Sequence, residues 1–90
     1  MQEKPSKYTV YLTKTARKDY ESIRDSKLKR GIDRVIEEIQ EDPFQFKKLS
    51  GPLQHLRSAK TFSFRVLYQI ENEKLLVWVV AIENRKDVYQ

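Results

Sequence analysis

The sequence predicts an α+β domain with the element order β-α-α-β-β-β, a helical hairpin packed on a small, mostly antiparallel sheet. Three observations predict it. Two helical stripes separated by a very short break fill residues 14–41. Beyond Pro43 the apolar pattern changes from helical spacing to alternation. The chain has 90 residues, 39% of them hydrophobic, which supports one compact core and a thin stability margin. The expected organisation is therefore a single domain over residues 1–90.

Met1 to Lys7 is polar, contains Pro5 and is expected to fray. Tyr8 to Leu12 is β-branched and aromatic, the composition of a strand. Thr13 or Thr15 then offers a hydroxyl to cap a helix. In Lys14 to Arg24, Ala16, Tyr20 and Ile23 fall on one helical face. Asp25-Ser26 breaks this helix and caps a second. Leu28, Ile32, Val35, Ile36 and Ile39 give the second helix its apolar stripe. Asp42-Pro43 stops it, because proline disfavours helical geometry at the preceding residue.

Phe44 to Leu53 reads as a loop ending in Gly51-Pro52, and Leu56 to Lys60 as a short strand. Phe62, Phe64, Val66, Tyr68 and Ile70 alternate with more polar neighbours, a half-buried strand. Glu71-Asn72-Glu73 reads as a hairpin turn. Leu75 to Ile82 is apolar on both faces and predicts a central strand covered on both sides. Glu83 to Gln90 reads as a polar tail. Tyr8, Tyr11, Tyr20, Tyr68 and Trp78 stand at core-period positions.

Charge narrows the function classes. The chain carries 18 Lys+Arg against 13 Asp+Glu, a formal net charge of +5. Pro43 to Ile70 contains no acid and holds Lys47, Lys48, Arg57, Lys60 and Arg65. Such a block concentrates positive potential and attracts a polyanion. Lys47, Lys48 and Arg57 are the expected polyanion-binding positions. The absence of cysteine excludes disulfides and thiolate metal sites and fits a reducing compartment. No apolar run is long enough for a membrane span, and no secretory leader is evident at the N-terminus. The expectation is a soluble cytoplasmic protein without cofactor, metal or membrane partner.

The catalytic inventory is short. One histidine, His55, cannot build a histidine metal site and reads as a surface or turn residue. No glycine-rich phosphate loop exists, since Gly31 and Gly51 are the only glycines. What remains is cationic and aromatic. Arg65 lies in an alternating strand, pointing away from Phe64 and Val66. In a meander, Arg57 or Lys60 can converge with Arg65 and Arg85 on one sheet face, where guanidinium forks suit phosphate oxygens. The competing reading pairs each arginine with a sheet-face acid such as Glu71 or Glu83. Tyr89 is either a free tail residue or a platform for a nucleobase.

Four runs together resemble the RelE/ParE toxin superfamily. They are Lys48-Leu49-Ser50-Gly51, Leu56-Arg57-Ser58-Ala59-Lys60, Phe64 to Ile70 and Ala81 to Tyr89. The resemblance spans about Tyr8 to Tyr89 and implies the toxin of a type II toxin–antitoxin module, neutralised by a cognate acidic antitoxin. RelE-like members cut mRNA on the ribosome, whereas ParE-like members inhibit DNA gyrase. The ending Arg85-Lys86-Asp87-Val88-Tyr89 looks more like the RelE branch. By resemblance, Arg65 holds the scissile phosphate, Arg85 supports the leaving group and Tyr89 stacks on and orients a base. Lys60 and Arg57 match the basic strand positions, so the resemblance implies a catalytic set of Arg65, Arg85, Tyr89 and Lys60, with Lys47, Lys48 and Arg57 binding RNA. Two departures stand out. Asn84 replaces a histidine common before the arginine, and Arg57 and Lys60 are spaced differently from the lysine pair of RelE. The function implied is a ribosome-dependent mRNA endoribonuclease that inhibits translation. The alternatives are a ParE-like gyrase inhibitor or a catalytically degenerate toxin that acts by binding.

Overall fold

A computed structural model describes residues 8–85. The frayed start expected for residues 1–7, and Tyr89, lie outside the described residues. The elements are β1 (Thr9–Leu12), α1 (Lys14–Glu21), α2 (Ser26–Glu41), β2 (Lys47–Lys48), β3 (Arg57–Thr61), β4 (Phe64–Glu71) and β5 (Leu76–Asn84). The sheet order is β1-β5-β4-β3-β2. β1 runs parallel to β5, and the remaining pairings are antiparallel.

The helices begin where the local chemistry places them. Thr13 Oγ1 accepts from the Ala16 N–H and caps α1. Asp25 Oδ1 accepts from the N–H groups of Lys27 and Leu28 and caps α2. α2 ends at Glu41, before Asp42-Pro43. Ile32 and Ile39 of α2 are fully buried, with Val35 close to it. They meet Val66 and Tyr68 of β4 and Val77 and Val79 of β5 in one core. Each fully buried aliphatic side chain contributes about 1.5–3 kcal/mol. The Tyr68 hydroxyl donates to the Pro43 carbonyl at 2.6 Å, which ties the end of α2 to the middle of the sheet.

Several expectations change. The loop after Pro43 contains the two-residue strand β2, which extends the sheet beyond β3. Two exposed lysines carry no apolar alternation, so periodicity could not reveal it. Phe62 does not belong to β4. It forms the β3–β4 turn with φ +56° and is 59% exposed. The hairpin after β4 closes through a 3-10 turn at Asn72–Lys74, with Leu75 left-handed. Glu83 and Asn84 belong to β5 and not to a tail.

β5 is an interior strand between β1 and β4, while β4 holds the centre, and the helices cover only one face of β5. On the other face Leu76, Trp78 and Val80 are half-buried. Trp78 is therefore not a core residue. It packs on Tyr11, its partner in the β1–β5 ladder, with ring centroids 5.3 Å apart. Tyr11 itself is 47% exposed. Among the described residues no helix is long and apolar enough to cross a membrane.

β5 also carries a bulge. Tyr68 pairs with Val79 but Leu67 pairs with Ala81, so Val80 is the extra residue. α1 satisfies the disturbed backbone. Thr13 Oγ1 donates to the Val80 carbonyl at 3.2 Å, and Asp19 Oδ2 accepts from the Ile82 N–H at 2.9 Å. The bulge reverses the facing of every later residue. Val77 and Val79 point to the helices before it, Ile82 points there after it, and Glu83 turns to the helix-free face.

Candidate nucleic-acid interface

The helix-free face of β3, β4 and the end of β5 holds a groove of about 350 Å³. Lys47, Lys60, Arg65 and Arg85 line it, together with Gln45, Phe46, Leu49 and Ser58. The ladder accounts for this meeting. Lys60 is directly opposite Arg65, Lys47 is opposite Ser58, and side chains of paired residues share a face. Arg85 follows β5 and is fixed by its backbone. Its N–H donates to the Ser63 carbonyl at 2.8 Å. The Ser63 hydroxyl donates to Asn84 Oδ1 at 2.9 Å, so the β3–β4 turn grips the end of β5 twice.

Arg65 occupies the middle of this arrangement. Its Nη2 is 3.1 Å from Glu83 Oε1 across the β4–β5 ladder. The side chains of the pair are 31% and 42% exposed, so water and salt reach it. The buried Arg65 Nε has no hydrogen-bond acceptor among the described residues. The ion pair engages Nη2 alone, so the guanidinium is oriented by Glu83 without having all its donors used.

The other expected positions lie elsewhere. Arg57 pairs with Tyr68 and points to the helix side of the sheet. Its Nη1 donates to the carbonyls of Phe44 at 3.2 Å and Phe46 at 2.8 Å, and its guanidinium lies over the Phe44 ring. It organises the loop after α2. Lys48 pairs with Arg57 and lines a separate depression with His55. Tyr89 lies outside the described residues. Phe46, Leu49 and Ser58 line the groove without being expected site residues. The ladder register brings Ser58 in, and nothing in the spacing of the loop residues signalled them. Among the described residues no cluster of acids and histidines suits a metal ion.

Two helices packed on one face of a five-stranded, mostly antiparallel sheet is the fold of RelE-like toxins from toxin–antitoxin modules. The model of the family described as "ParE toxin of type II toxin-antitoxin system, parDE" matches residues 10–89, and the chain belongs to that family, within the RelE/ParE toxin superfamily. The toxin RelG of Mycobacterium tuberculosis is 29% identical over 84 residues, covering 92% of this chain and 97% of the relative. The toxin–antitoxin complex RelBE2 of M. tuberculosis contains a chain that superposes with a TM-score of 0.77 at 28% identity. That match covers 87% of this chain and 98% of the other. A chain of the intact RelBE complex of E. coli matches with a TM-score of 0.75 at 24% identity, over 86% and 95% of the two chains, a likeness of fold.

Proposed function

We propose that this toxin is a ribosome-dependent endoribonuclease that cuts mRNA. The convergence of Lys47, Lys60, Arg65 and Arg85 on one groove carries the reading. RNA brings its own nucleophile, because a 2′-hydroxyl can attack the adjacent phosphorus in line once it loses its proton. The enzyme must then hold the phosphate and offset the charge that grows on its oxygens. Arg65 and Arg85 are suited to that task, since fixed cations at developing charge are often the largest catalytic contribution. Lys60 and Lys47 hold flanking phosphates, and Tyr89 stacks on a base. A site of cations alone is a weak nuclease by itself. It gains from a ribosome that presents the mRNA already splayed.

The cognate partner is an acidic antitoxin, a role that the M. tuberculosis and E. coli complexes support by analogy. A toxin of net charge +5 suits a partner that wraps it and orders on binding.

A second reading is inhibition of DNA gyrase. The match to a family described as ParE favours it, as does Glu83, which occupies one arm of Arg65. A translation extract with labelled mRNA separates the two. Codon-positioned cuts that vanish with Arg65→Ala, Arg85→Ala and Tyr89→Phe are expected. Intact mRNA together with inhibited supercoiling would reject the nuclease.

A further inference from the structure

Around the β3–β4 turn from the groove lies a second depression, between that turn and α2. Lys27, Arg30, Arg34 and Phe62 line it with Gly31 and Thr61, and so do the acids Asp33 and Glu37. Three local features there run against stability. Phe62 adopts φ +56°, a conformation that strains a residue with a bulky side chain, while leaving its ring 59% exposed. Gly31 stands in the interior of α2, where glycine weakens a helix. The charges of α2 also oppose its dipole. Lys27, Lys29 and Arg30 stand near its start with no acid in the first turn, and Glu37, Glu38 and Glu41 near its end with no base in the last turn.

The three features fit one another. A Cβ at Gly31 would lie 2.6 Å from Phe62 Cε2 and 2.8 Å from Thr61 Oγ1, so glycine is what lets the ring lie against the helix. Lys27, Arg30 and Arg34 share one helical face and are exposed. Asp33, whose carboxylate also accepts the Tyr20 hydroxyl at 2.8 Å, and Glu37 set two acids beside these three cations, so the depression keeps a modest positive excess. Local rules broken together at one place mark a site kept for contact and not for folding.

We propose that this depression is a second RNA-contact surface, on which Phe62 stacks an unpaired base while Lys27, Arg30 and Arg34 hold phosphates of a folded RNA beside the strand in the groove. The proposal rests on the RNA reading of the groove. A row of cations edged by an exposed ring is the chemistry that binds bases and phosphates together. The surface is also continuous with the groove. Lys60 and Phe62 are two residues apart, and Ser63 is bonded to Arg85 and Asn84. One polyanionic partner can therefore span both.

The test measures binding to purified ribosomes. The parent is the full chain carrying Arg65→Ala, compared with the same chain also carrying Arg30→Glu and Arg34→Glu together, or Phe62→Ala. Expected are at least about tenfold weaker binding for the double reversal and several-fold for Phe62→Ala. The slope of log affinity on log salt should fall by about two for the double reversal. Neither variant should lower the melting midpoint. Unchanged affinity in both variants, with a parent that binds, would overturn this surface and leave the groove reading standing. A parent that does not bind ribosomes would remove the groove reading and this surface with it. Intact ribosome binding with lost antitoxin binding would reassign the surface to a protein partner.

Discussion

The guanidinium of Arg65 is shared between the groove and Glu83, whose carboxylate lies 3.1 Å away on the neighbouring strand. Glu83 reaches it only because the Val80 bulge turns the end of β5 over. The carboxylate orients Arg65 and also competes with any phosphate for it.

Replacing Glu83 therefore has a defined sign. Glu83→Gln removes the competitor and takes one negative charge from beside the groove. Binding of a single-stranded RNA oligonucleotide at low salt, followed by fluorescence anisotropy, should tighten roughly fivefold, the equivalent of about 1 kcal/mol. Stability should change by less than about 1 kcal/mol, because the pair is partly exposed. Weaker RNA binding in this variant would mean that Glu83 serves the site by holding Arg65 in place.

Arg57 and Arg65 should separate stability from activity. Arg57→Ala leaves two loop carbonyls without their donor and strips the cation from the Phe44 ring. A loss of about 1–3 kcal/mol in denaturant unfolding is expected. Arg65→Ala should abolish toxicity with a far smaller change in stability. A stable Arg57→Ala protein without toxicity would return Arg57 to the functional set.

Tyr68 makes stability fall at alkaline pH. Burial pushes its phenol well above the ordinary tyrosine value, and the Pro43 carbonyl accepts its proton. Above about pH 10 the unfolded chain releases this proton while the folded chain keeps it. The unfolded state then binds fewer protons, so unfolding free energy decreases as pH rises through that range. Tyr20 adds to the same slope. Its hydrogen bond to Asp33, with burial and the Asp33 charge behind it, raises its pKa. Urea titrations at pH 8 to 11 should show a slope reduced by about one proton in Tyr68→Phe. The variant should also lose about 1–2 kcal/mol at neutral pH. An unchanged alkaline slope would sink the assignment.

The helical half of this fold was legible because capping and breaking are local. Thr13, Asp25 and Asp42-Pro43 act within a few residues of themselves, and their positions stand in the structure. The long strands were legible from alternation and apolar content. The meeting of Lys60, Arg65 and Arg85 was foreseeable only as one outcome of a meander. Which of Lys60 and Arg57 joined depended on the register of the β3–β4 hairpin. Phe62 decided that register by taking the turn position, where a phenylalanine with positive φ is not an expectation that composition supports. The Glu83 facing depended on a bulge whose backbone is satisfied by Thr13 and Asp19, far away in sequence. Non-local hydrogen bonds of this kind leave no periodic trace.

The parallel pairing of Thr9–Leu12 with Leu76–Val79 bears on the order in which the toxin is made. A ribosome emits β1 early and must then wait for β5, the strand that gives β1 its only neighbour in the sheet. The same late strand brings Glu83 to Arg65 and, just past its end, Arg85 to the groove. Contacts so distant along the chain form slowly and late. A nascent chain therefore carries its helices and its central hairpin before it carries a groove, and the protein becomes a finished toxin only once its own synthesis is nearly complete.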